Sequence, residues 1–412
     1  MKVSVIGLGY IGLPTATMFA SRKIPVLGVD VNARVVDTVN QGKIHIVEPE
    51  LDMIVHAAVV EGFLRASTTA EAADAFLIAV PTPFKEDHQP DLSYVESAVR
   101  MIAPVLEKGN IVILESTSPV GATQQMVAWL QEARPDLVFP IGEDDTGVQV
   151  HVAYCPERVL PGQVVRELVE NDRIIGGMTP ACAQRAMEVY RVFVKGDLIT
   201  TNARTAEMCK LTENAFRDVN IAFANELSII CGKIGIDVWE LIRLANRHPR
   251  VNILRPGAGV GGHCIAVDPW FIVSSTPDEA RLIRAARETN DAKPAWVTSH
   301  VLDAIDKIRS ADKPDVTVAC YGITFKPDID DLRESPALQI VEELKAASSA
   351  TLLAVEPNVQ ALPASLAGVK KVSLGDALAT ADIHVILVAH AEFKSSAELR
   401  ALPVLDFCGA LS

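Results

Sequence analysis

Residues 3–14 read VSVIGLGYIGLP, and this stretch decides the fold of the first part of the chain. The apolar run before Gly7 has the composition of a buried strand, and the residues after Gly12 have the pattern of a helix. Gly7, Gly9 and Gly12 fit the G-x-G-x-x-G spacing of a dinucleotide-binding turn, where glycine allows a tight turn and a close backbone approach to a pyrophosphate. The partial positive charge at the N-terminus of the following helix favours the same group. Strand, turn and helix together predict a dinucleotide-binding unit.

Asp30 narrows the choice of dinucleotide. It ends the next apolar strand, IPVLGVD, and lies 18 residues after Gly12. A carboxylate at this place accepts a hydrogen bond from a ribose 2′-hydroxyl and repels a 2′-phosphate. The predicted cofactor is therefore NAD rather than NADP, and the nearby Arg34 weakens that preference slightly.

A second stretch, PGAGVGGHC at 256–264, has the same spacing through Gly257, Gly259 and Gly262 but lacks the context. No clear strand leads into it, the following IAVDPWF does not begin as an amphipathic helix, and no acid ends a following strand. We therefore expect no second dinucleotide there. The glycines predict a backbone that packs closely against something and presents Cys264, which we interpret as a nucleophile rather than an inert, buried thiol.

A helix of about 30 residues is predicted over 205–235, because this segment has helical periodicity and no strand signal. Lys210, Asn214 and Arg217 are spaced at i, i+4 and i+7 and share one polar face. That face is either a solvated surface or part of an active site, and the sequence leaves both interpretations open. A basic cluster follows and is a candidate anion-binding site: Arg243, Arg247, His248, Arg250 and Arg255.

The composition of the 412-residue chain excludes several classes of protein. With 49% hydrophobic and 22% charged residues it can build large cores and is not of the disordered type. The net charge of −14 disfavours nucleic acid and anionic membranes as partners. Seven scattered cysteines without C-x-x-C spacing indicate neither a metal site nor a disulfide framework. We expect no signal peptide and no membrane-spanning run, and hence a soluble, cytoplasmic protein.

The order of segments predicts an α/β fold: two Rossmann-like, doubly wound parallel-sheet domains joined by a central helical region with one long helix. The expected domains are 1–199, which binds NAD, 200–300, which is helical, and 301–412, which returns to strands and helices. Four strand candidates lie in the last domain: VTVACYGI, TLLAVEP, IHVILVAH and PVLDF. Ser335 before Pro336 predicts a helix N-terminus there.

Motifs along nearly the whole chain resemble those of the UDP-glucose/GDP-mannose dehydrogenase family: GLGYIGLP, PTP, ESTSPVG, PERVLPG, EMCKLTENAFRDVN, GVGGHC and GITFKPDIDDLRESP. Within the family, YCPERVLPG, LANRHPRVNIL and GGHCIAVDPWFIV are similar to the branch that oxidises UDP-N-acetyl-D-mannosamine. The resemblance implies that a sugar 6-hydroxyl is oxidised to an acid while two NAD⁺ are reduced, for bacterial surface polysaccharide of the enterobacterial common antigen type. It also implies a homodimer through the long helix and a UDP-sugar site in the C-terminal domain, with neither nucleic acid nor membrane as partner.

Cys264 explains how a second oxidation can follow the first. The carbon of an alcohol can lose a hydride because an electron pair of its hydroxyl oxygen expels it, whereas the carbon of an aldehyde carries no hydroxyl oxygen that could expel a further hydride. A thiol that adds to the aldehyde gives a thiohemiacetal, which can lose a hydride and become a thioester that water cleaves.

The resemblance assigns site residues by motif. Besides Cys264, the catalytic positions are Lys210 and Asn214 for the oxyanion, Glu157 as the base that activates water, Thr117 to orient that water, and Asp268 as a support. Together with the three glycines of the first turn, the positions that match NAD contacts are Tyr10, Ile11, Asp30, Arg34, Thr82 and Thr117. The positions that match substrate contacts are Arg158, Val159, Lys210, Asn214, Arg217, His248, Arg250, Gly261, Lys326 and Arg333.

The chain departs from the family pattern at Thr324, where alanine is usual, and at Ala258, where proline is common. The tail LDFCGALS follows the family's last strand only briefly, so its contacts with substrate stay open. None of these departures removes a catalytic group.

Three other functions stay open at this point. The same chemistry could act on UDP-glucose, UDP-N-acetylglucosamine or GDP-mannose. A single-step NAD-dependent alcohol dehydrogenase would reduce one NAD⁺ and would not need Cys264. A non-catalytic NAD-sensing module would need neither Lys210 nor Cys264.

Overall fold

The chain folds as two compact units in a computed structural model. Unit 1 is Met1–Glu213 and unit 2 is Asn214–Ser412. His263 and Cys264 are outside the described residues, so the role of Cys264 stays a prediction, as does the division into three domains. The structure describes residues 1–46, 48–85, 88–142, 146–159, 162–262, 265–309 and 313–412.

The described part of unit 1 forms an eight-stranded sheet. Its strands lie in the order β3-β2-β1-β4-β5-β6-β7-β8, and each neighbouring pair is parallel except β6 and β7. This confirms the doubly wound sheet, while β7 and β8, which run antiparallel to the other six strands, depart from the all-parallel expectation. The strands are β1 Val3–Ile6, β2 Val26–Val29, β3 Leu64–Ser67, β4 Ala75–Ile78, β5 Ile111–Leu114, β6 His151–Tyr154, β7 Arg173–Gly177 and β8 Leu198–Asn202.

Helices cover both faces of this sheet. Alternate residues of β1 point to opposite faces, so Val3 and Val5 lie in one apolar core and Ile6 lies in the other. The helices are α1 Gly12–Ser21, α2 Ala33–Asn40, α3 Leu51–Val60, α4 Ser93–Ile102, α5 Ala122–Ala133, α6 Val164–Glu170 and α7 Pro180–Tyr190.

The turn between β1 and α1 needs glycine at two positions for steric reasons. A Cβ on Gly12 would lie 1.8 Å from the carbonyl oxygen of Gly7. A Cβ on Gly7, whose φ is +92°, would lie 2.6 Å from the carbonyl oxygen of Ala79 in the loop after β4. A Cβ on Gly9 would meet no atom of the described residues within 4 Å. Gly7 and Gly12 are therefore required by packing, whereas Gly9 leaves open space beside the turn.

Unit 2 contains a smaller, parallel sheet with the strand order β11-β10-β9-β12-β13. Four strands match the predicted ones, and only the short β11 is additional. The strands are β9 Thr317–Tyr321, β10 Thr351–Val355, β11 Lys370–Lys371, β12 Ile383–Ile386 and β13 Val404–Asp406. The helices that lie wholly in unit 2 are α9 Val238–Ala245, α10 Asp268–Ser275, α11 Arg281–Ile308, α12 Pro336–Ala347, α13 Leu374–Thr380, α14 Ala391–Ser395 and α15 Ala397–Ala401.

The predicted N-terminus of α12 is confirmed. Ser335 is the N-cap, and its hydroxyl oxygen accepts the N–H of Leu338 at 3.3 Å. Pro336 occupies the first position of the helix, where its missing N–H costs nothing.

The long helix predicted from the sequence is confirmed as α8, Ala203–Ile234, a continuous helix of 32 residues. It begins in unit 1 and ends in unit 2. The segment after the second glycine stretch differs from expectation, since α10 begins there at Asp268. Its residues 268–273 are all buried, so no amphipathic pattern marks this helix in the sequence. In the part of the chain that the structure describes, no helix is long and apolar enough to cross a bilayer.

A buried polar cluster lies inside unit 1, near the ends of β5 and β6. The Tyr190 hydroxyl donates to Glu115 Oε1 at 2.6 Å, and Arg173 Nη2 donates to Glu157 Oε2 at 2.9 Å. All four side chains are buried. Burial raises the pKa of Glu115 to about 7, an effect that the positive charge of Arg173 opposes. Glu115 is thus a carboxyl that the fold keeps largely protonated below neutral pH.

Replacing Gly12 by alanine tests the close approach of α1 to β1. We expect Gly12→Ala to lower the free energy of unfolding by about 2–4 kcal/mol, because its Cβ must displace a backbone carbonyl. Gly9→Ala is the matched control and should unfold at nearly the parental temperature while it binds NAD more weakly. Thermal unfolding and NAD titration measure both effects. Equal unfolding temperatures for the two variants would contradict the steric argument.

Replacing Glu115 by glutamine tests whether this buried carboxyl is protonated in the native state. Its pKa of about 7 lies above the ordinary value of 4.5, which applies to the unfolded chain. Between these two pH values, the native state therefore keeps a proton that the unfolded state has lost. The stability that this group contributes is complete below about pH 4.5 and is lost as the pH rises through about 7. Relative to the parent, Glu115→Gln should therefore gain on the order of 2 kcal/mol at pH 8 and little at pH 5.

Urea unfolding at the two pH values measures this difference. The exposed Glu61, changed to glutamine, serves as the control and should show no such gain. A shift of Glu115→Gln that is the same at pH 5 and pH 8 would contradict the assignment.

Candidate active site

The carboxyl ends of β1 and β2 form the part of unit 1 where a dinucleotide is expected. Asp30 follows β2, and its carboxylate accepts the N–H groups of Leu8 and Asn32, both at 2.9 Å. A carboxylate has about four lone-pair positions, so capacity remains for the hydroxyls of a ribose. Ile11, in the N-cap position of α1, has no side-chain acceptor for the first N–H groups of the helix. These features fit the ribose and the pyrophosphate of NAD.

The other positions predicted to contact NAD lie at the same edge of the sheet. Tyr10 and Ile11 follow β1, and Arg34 is an exposed residue in the first turn of α2. Thr82 and Thr117 follow the neighbouring strands β4 and β5, and the Thr82 hydroxyl donates to the carbonyl oxygen of Thr117. Because parallel strands end at one edge, the structure brings these five residues to the side where Asp30 lies.

The loop after β6 holds Glu157, the predicted base. Glu157 Oε1 accepts the N–H of Arg158 at 2.7 Å, and the Arg158 guanidinium pairs with Glu213 through distances of 2.7 and 3.1 Å. Val159 packs against the apolar core of unit 1. Arg158 is therefore a cation that already has a carboxylate partner, and a substrate phosphate would have to share it.

Lys210 lies in the unit 1 part of α8 and is only 9% exposed. It forms no ion pair with the described residues of unit 1. An ammonium buried without a carboxylate is costly, so this position favours a functional group over a structural one. The spacing predicted for Lys210, Asn214 and Arg217 holds in the continuous helix, but Lys210 is buried and Arg217 is exposed. The face that the three share is therefore not a uniformly solvated surface.

Within unit 2, α8 holds both flanks of the stretch that carries Cys264. Asn225 Oδ1 accepts the N–H of Gly257 at 2.9 Å on the near side. The Asn214 amide donates to Asp268, the first residue of α10, on the far side. Asn214 and Asp268, which the sequence analysis assigned to separate roles, are thus in direct contact.

A chain of buried polar groups fixes Asn225 in turn. Its amide donates to Asn290 Oδ1 at 2.8 Å, and the Asn290 amide donates to Asp218 Oδ1 at 2.8 Å. Arg287 of α11 completes the chain by donating to the same oxygen at 2.6 Å. Four side chains, each at most 1% exposed, therefore connect two long helices to the backbone of Gly257.

The glycines of 257–262, which we name the glycine loop, have a packing reason. A Cβ on Gly261 would lie 2.3 Å from the carbonyl oxygen of Glu334 and 2.6 Å from Pro336. A Cβ on Gly259 would lie 2.6 Å from Pro336, and Gly262 faces the ring of Phe325. The backbone packs closely against the segment before α12, as the sequence predicts. The glycines thus tie the loop down rather than leave it loose.

Ala258 and Thr324, the two departures from the family pattern, have structural roles. Ala258 is buried in the apolar core of unit 2. The Thr324 hydroxyl donates to the carbonyl oxygen of Lys326 at 3.0 Å and lies 3.4 Å from His390 Nε2. Thr324 therefore helps to set the backbone at Lys326, one of the predicted substrate positions.

A buried acid whose oxygens already accept hydrogen bonds lies at the carboxyl edge of the second sheet. Glu356 follows β10 as Asp30 follows β2, and it accepts the N–H groups of Ile323 at 2.8 Å and Asn358 at 2.9 Å. His390 Nε2 lies 3.1 Å from Glu356 Oε2, and Glu356 is 1% exposed. Hydrogen bonds to His390 and to these N–H groups hold the pKa of Glu356 below its usual value despite burial.

The remaining predicted substrate positions are surface cations of unit 2. His248 and Arg250 are exposed and lie in one turn, where His248 Nδ1 accepts the N–H of Arg250 at 3.3 Å. The exposed Arg333 is held by Asp331 through distances of 2.6 and 2.9 Å.

Two arginines of the basic cluster are engaged elsewhere in unit 2. Arg243 lies 3.8 Å from Glu240, and Arg255 donates to the carbonyl of Gly409 at 2.6 Å and covers the ring of Trp239. The anion-binding site predicted from the basic cluster therefore has fewer available cations than the sequence indicates.

Several residues that fix the candidate site escaped the sequence analysis. Asn225 carried a usable signal, since it is an amide inside an apolar helical run. Asn290 and Phe325 act through contacts between distant segments, for which a single sequence has no marker. Arg173 is the first residue of β7 and looks like an ordinary surface residue in the sequence.

The comparisons with known proteins agree with this arrangement. Three parts of the UDP-glucose/GDP-mannose dehydrogenase family match the chain: the NAD binding domain at residues 1–194, the central domain at 204–292 and the UDP binding domain at 319–412. A UDP-N-acetyl-D-mannosamine dehydrogenase from Escherichia coli K12 is 63% identical over 398 residues, which are 95% of this chain and 94% of that protein.

Two further relatives match the chain, one in sequence and one in a solved structure. An NDP-N-acetyl-D-galactosaminuronic acid dehydrogenase from Ralstonia solanacearum is 61% identical over 414 residues, covering 100% of this chain and 96% of the relative. The solved structure of a UDP-D-ManNAc dehydrogenase from Pyrococcus horikoshii superimposes with a TM-score of 0.89 at 39% identity, covering 100% of this chain and 96% of that one. With its NAD-binding turn, its UDP binding domain and these relatives, the chain belongs to the UDP-glucose/GDP-mannose dehydrogenase family and is an NAD-dependent enzyme that oxidises a UDP-sugar.

Proposed function

We propose that the enzyme oxidises UDP-N-acetyl-D-mannosamine at C6 to UDP-N-acetyl-D-mannosaminuronic acid, a four-electron reaction through a thiohemiacetal and a thioester on Cys264. The observation that carries the proposal is the anchoring of both flanks of the Cys264 stretch by α8, at Gly257 through Asn225 and at Asp268 through Asn214. A nucleophile that must meet an aldehyde needs such a fixed position. The E. coli relative, with the same substrate in its name, supports the choice of sugar.

The glycine turn after β1 and Asp30 would hold NAD, which would supply the hydride acceptor for both oxidations, that of the alcohol and that of the thiohemiacetal. The residues of the chain manage protons and charge around these steps. The buried ammonium of Lys210 and the amide of Asn214 stabilise the oxygen anion that forms when the alcohol is deprotonated and when the thiol adds. Asp268 fixes the Asn214 amide by accepting its hydrogen bond.

Glu157 acts in the last step, the hydrolysis of the thioester. Its carboxylate accepts a proton from the attacking water, and Thr117 orients that water. We assign the contacts with the diphosphate and the sugar to the remaining positions that match substrate contacts: Arg158, Val159, Arg217, His248, Arg250, Gly261, Lys326 and Arg333. These assignments rest on motif positions and on the burial and contacts of the side chains.

A second sugar is a specific competitor. The Ralstonia relative is named for an N-acetyl-D-galactosaminuronic acid and is nearly as similar as the E. coli protein. The competing substrate is therefore a nucleotide-linked N-acetylgalactosamine, which differs at C2 and C4. A panel of UDP-N-acetylmannosamine, UDP-N-acetylgalactosamine, UDP-N-acetylglucosamine, UDP-glucose and GDP-mannose distinguishes these possibilities by kcat/KM.

We also propose a cytoplasmic location and a role in surface polysaccharide synthesis of the enterobacterial common antigen type. The resemblance to the branch that oxidises UDP-N-acetyl-D-mannosamine supports both.

The stoichiometry of NADH tests the two-step reaction. We expect two NADH for each UDP-N-acetylmannosamine consumed, and a loss of acid formation of about 10³-fold or more in Cys264→Ala, because the second hydride has no donor without the thiol. Absorbance of NADH and chromatography of the product measure these quantities. Cys231→Ala, which removes a buried cysteine of α8, is the control and should keep the parental stoichiometry. One NADH per sugar, or full activity in Cys264→Ala, would support the single-step alternative.

We further propose that α8 pairs with the same helix of a second copy. Phe216, Phe223, Ile230 and Ile234 form one stripe along α8 and are between 46% and 71% exposed. Such a row of large apolar side chains is unusual on a surface that faces water, and a second copy would cover it.

A charge on this stripe tests the dimer. Phe223→Asp should halve the mass measured by light scattering, since burying a carboxylate among apolar side chains is costly. Met53→Asp places the same charge on an apolar residue of α3 that is 67% exposed and should leave the mass unchanged. A parental enzyme that is monomeric at micromolar concentration would refute the pairing.

A further inference from the structure

We propose that Arg173 is a positioning residue for thioester hydrolysis, because its guanidinium holds the carboxylate of Glu157 in the orientation that receives the proton of water. This inference rests on the proposed function, in which Glu157 is the base of that step. Arg173 itself contacts neither substrate nor water in the proposal.

The antiparallel course of β7 is what places Arg173 there. β6 pairs with β7 through Ala153 opposite Gly177 and Tyr154 opposite Gly176. Three residues further along the same register, Glu157 faces Arg173, the first residue of β7. In a parallel strand the first residue would lie at the other edge of the sheet. The reversed direction of β7 therefore brings a guanidinium to the edge where the loop after β6 lies.

The contacts of Glu157 leave it one orientation. Oε2 accepts Arg173 Nη2 at 2.9 Å, and Oε1 accepts the N–H of Arg158 at 2.7 Å. Each oxygen keeps a second lone pair, so the carboxylate can still accept a hydrogen bond from water. The side chain of Glu157 is 7% exposed and that of Arg173 is 4% exposed, so solvent screens their attraction little.

The surroundings of Arg173 direct its charge to Glu157. Its guanidinium lies 4.7 Å from the ring centre of Tyr190 and 5.5 Å from that of Phe193, which fix its plane. The other carboxyl nearby, Glu115, is bound by the Tyr190 hydroxyl, and burial raises its pKa to about 7. Glu115 is therefore a weaker competitor for the guanidinium than an ionised carboxylate would be.

The chemical step is a hydrolysis without oxidation or reduction. The water oxygen bonds to the thioester carbon while a water proton moves to Glu157. The bond from carbon to sulfur breaks, and the departing thiolate of Cys264 takes up the proton from Glu157. The products are the free sugar acid, which ionises in solvent, and the free thiol.

Pre-steady-state kinetics of Arg173→Gln and Arg173→Lys test the proposal on the full-length enzyme with UDP-N-acetylmannosamine and NAD. The two hydride transfers do not need Glu157, so we expect a burst of two NADH per subunit followed by a steady rate about 100-fold lower in Arg173→Gln. Acid-quenched intact-mass measurement should show the acyl adduct on the chain. Arg173→Lys, which keeps the charge without the planar fork, should slow hydrolysis less.

A purely structural role predicts a different result. It would reduce the burst amplitude and the steady rate together and would leave no adduct. This outcome overturns the proposal, and so does a parental rate of hydrolysis in Arg173→Gln. NAD affinity reports whether unit 1 is folded, and if Arg173→Gln binds no NAD the decision rests on Arg173→Lys. Arg134→Gln, which breaks the ion pair of unit 1 between Arg134 and Asp136, is the control and should hydrolyse the thioester at close to the parental rate.

Glu157→Gln separates this proposal from the function on which it rests. If Glu157→Gln accumulates no adduct, the assigned role of Glu157 fails, and the proposal for Arg173 fails with it. If Glu157→Gln accumulates adduct and both Arg173 variants do not, the positioning role alone is wrong. Adding Arg173→Lys to Glu157→Gln should not slow hydrolysis further, because Arg173 acts through a carboxylate that is already absent.

Discussion

The contact between the first turn of α1 and the end of β1 is the constraint on which unit 1 depends. A hydrogen atom occupies the place at Gly12 where any other side chain would overlap the carbonyl oxygen of Gly7. With that contact made, α1 packs on the sheet and its N-terminus faces the edge where β1, β2, β4, β5 and β6 end. The ribose acceptor Asp30, the pair Thr82 and Thr117, and Glu157 then share one edge, although more than 120 residues separate the first from the last.

Two glycine stretches with the same spacing have different physical causes. In the first, a helix must approach a strand, and Gly9 leaves room for a ligand. In the second, the backbone is pressed against Glu334, Phe325 and Pro336, and no room remains beside Gly261. The pattern of letters records only where a Cβ is missing. What takes its place, a phosphate or a neighbouring backbone, is decided by the elements on either side.

Much of the fold could be predicted from sequence because its signals are local. The long helix, the first βαβ unit, four strands of the second sheet and the cap at Ser335 each depend on neighbours in the chain. β8 carries polar residues and shows no clear alternation, and the first six residues of α10 are all buried, so the periodicity of both elements is weak. The direction of β7 and the ion pair of Arg173 with Glu157 depend on pairing between separate segments, which one sequence does not reveal. Motifs named most of the candidate site residues, while the residues that hold them, such as Asn225 and Asn290, came only from the structure.

The buried acid of the second sheet, Glu356, has a consequence for how one protein binds two nucleotides. NAD and a UDP-sugar both contain ribose and diphosphate, and the two sheets share the strand order that receives such groups. Glu356 stands where Asp30 stands, yet its oxygens are satisfied by backbone N–H groups and His390. A ribose diol would have to displace His390 to reach it. The two scaffolds thus differ in the hydrogen-bonding capacity that remains at this position, which favours a ribose diol beside Asp30 over one beside Glu356.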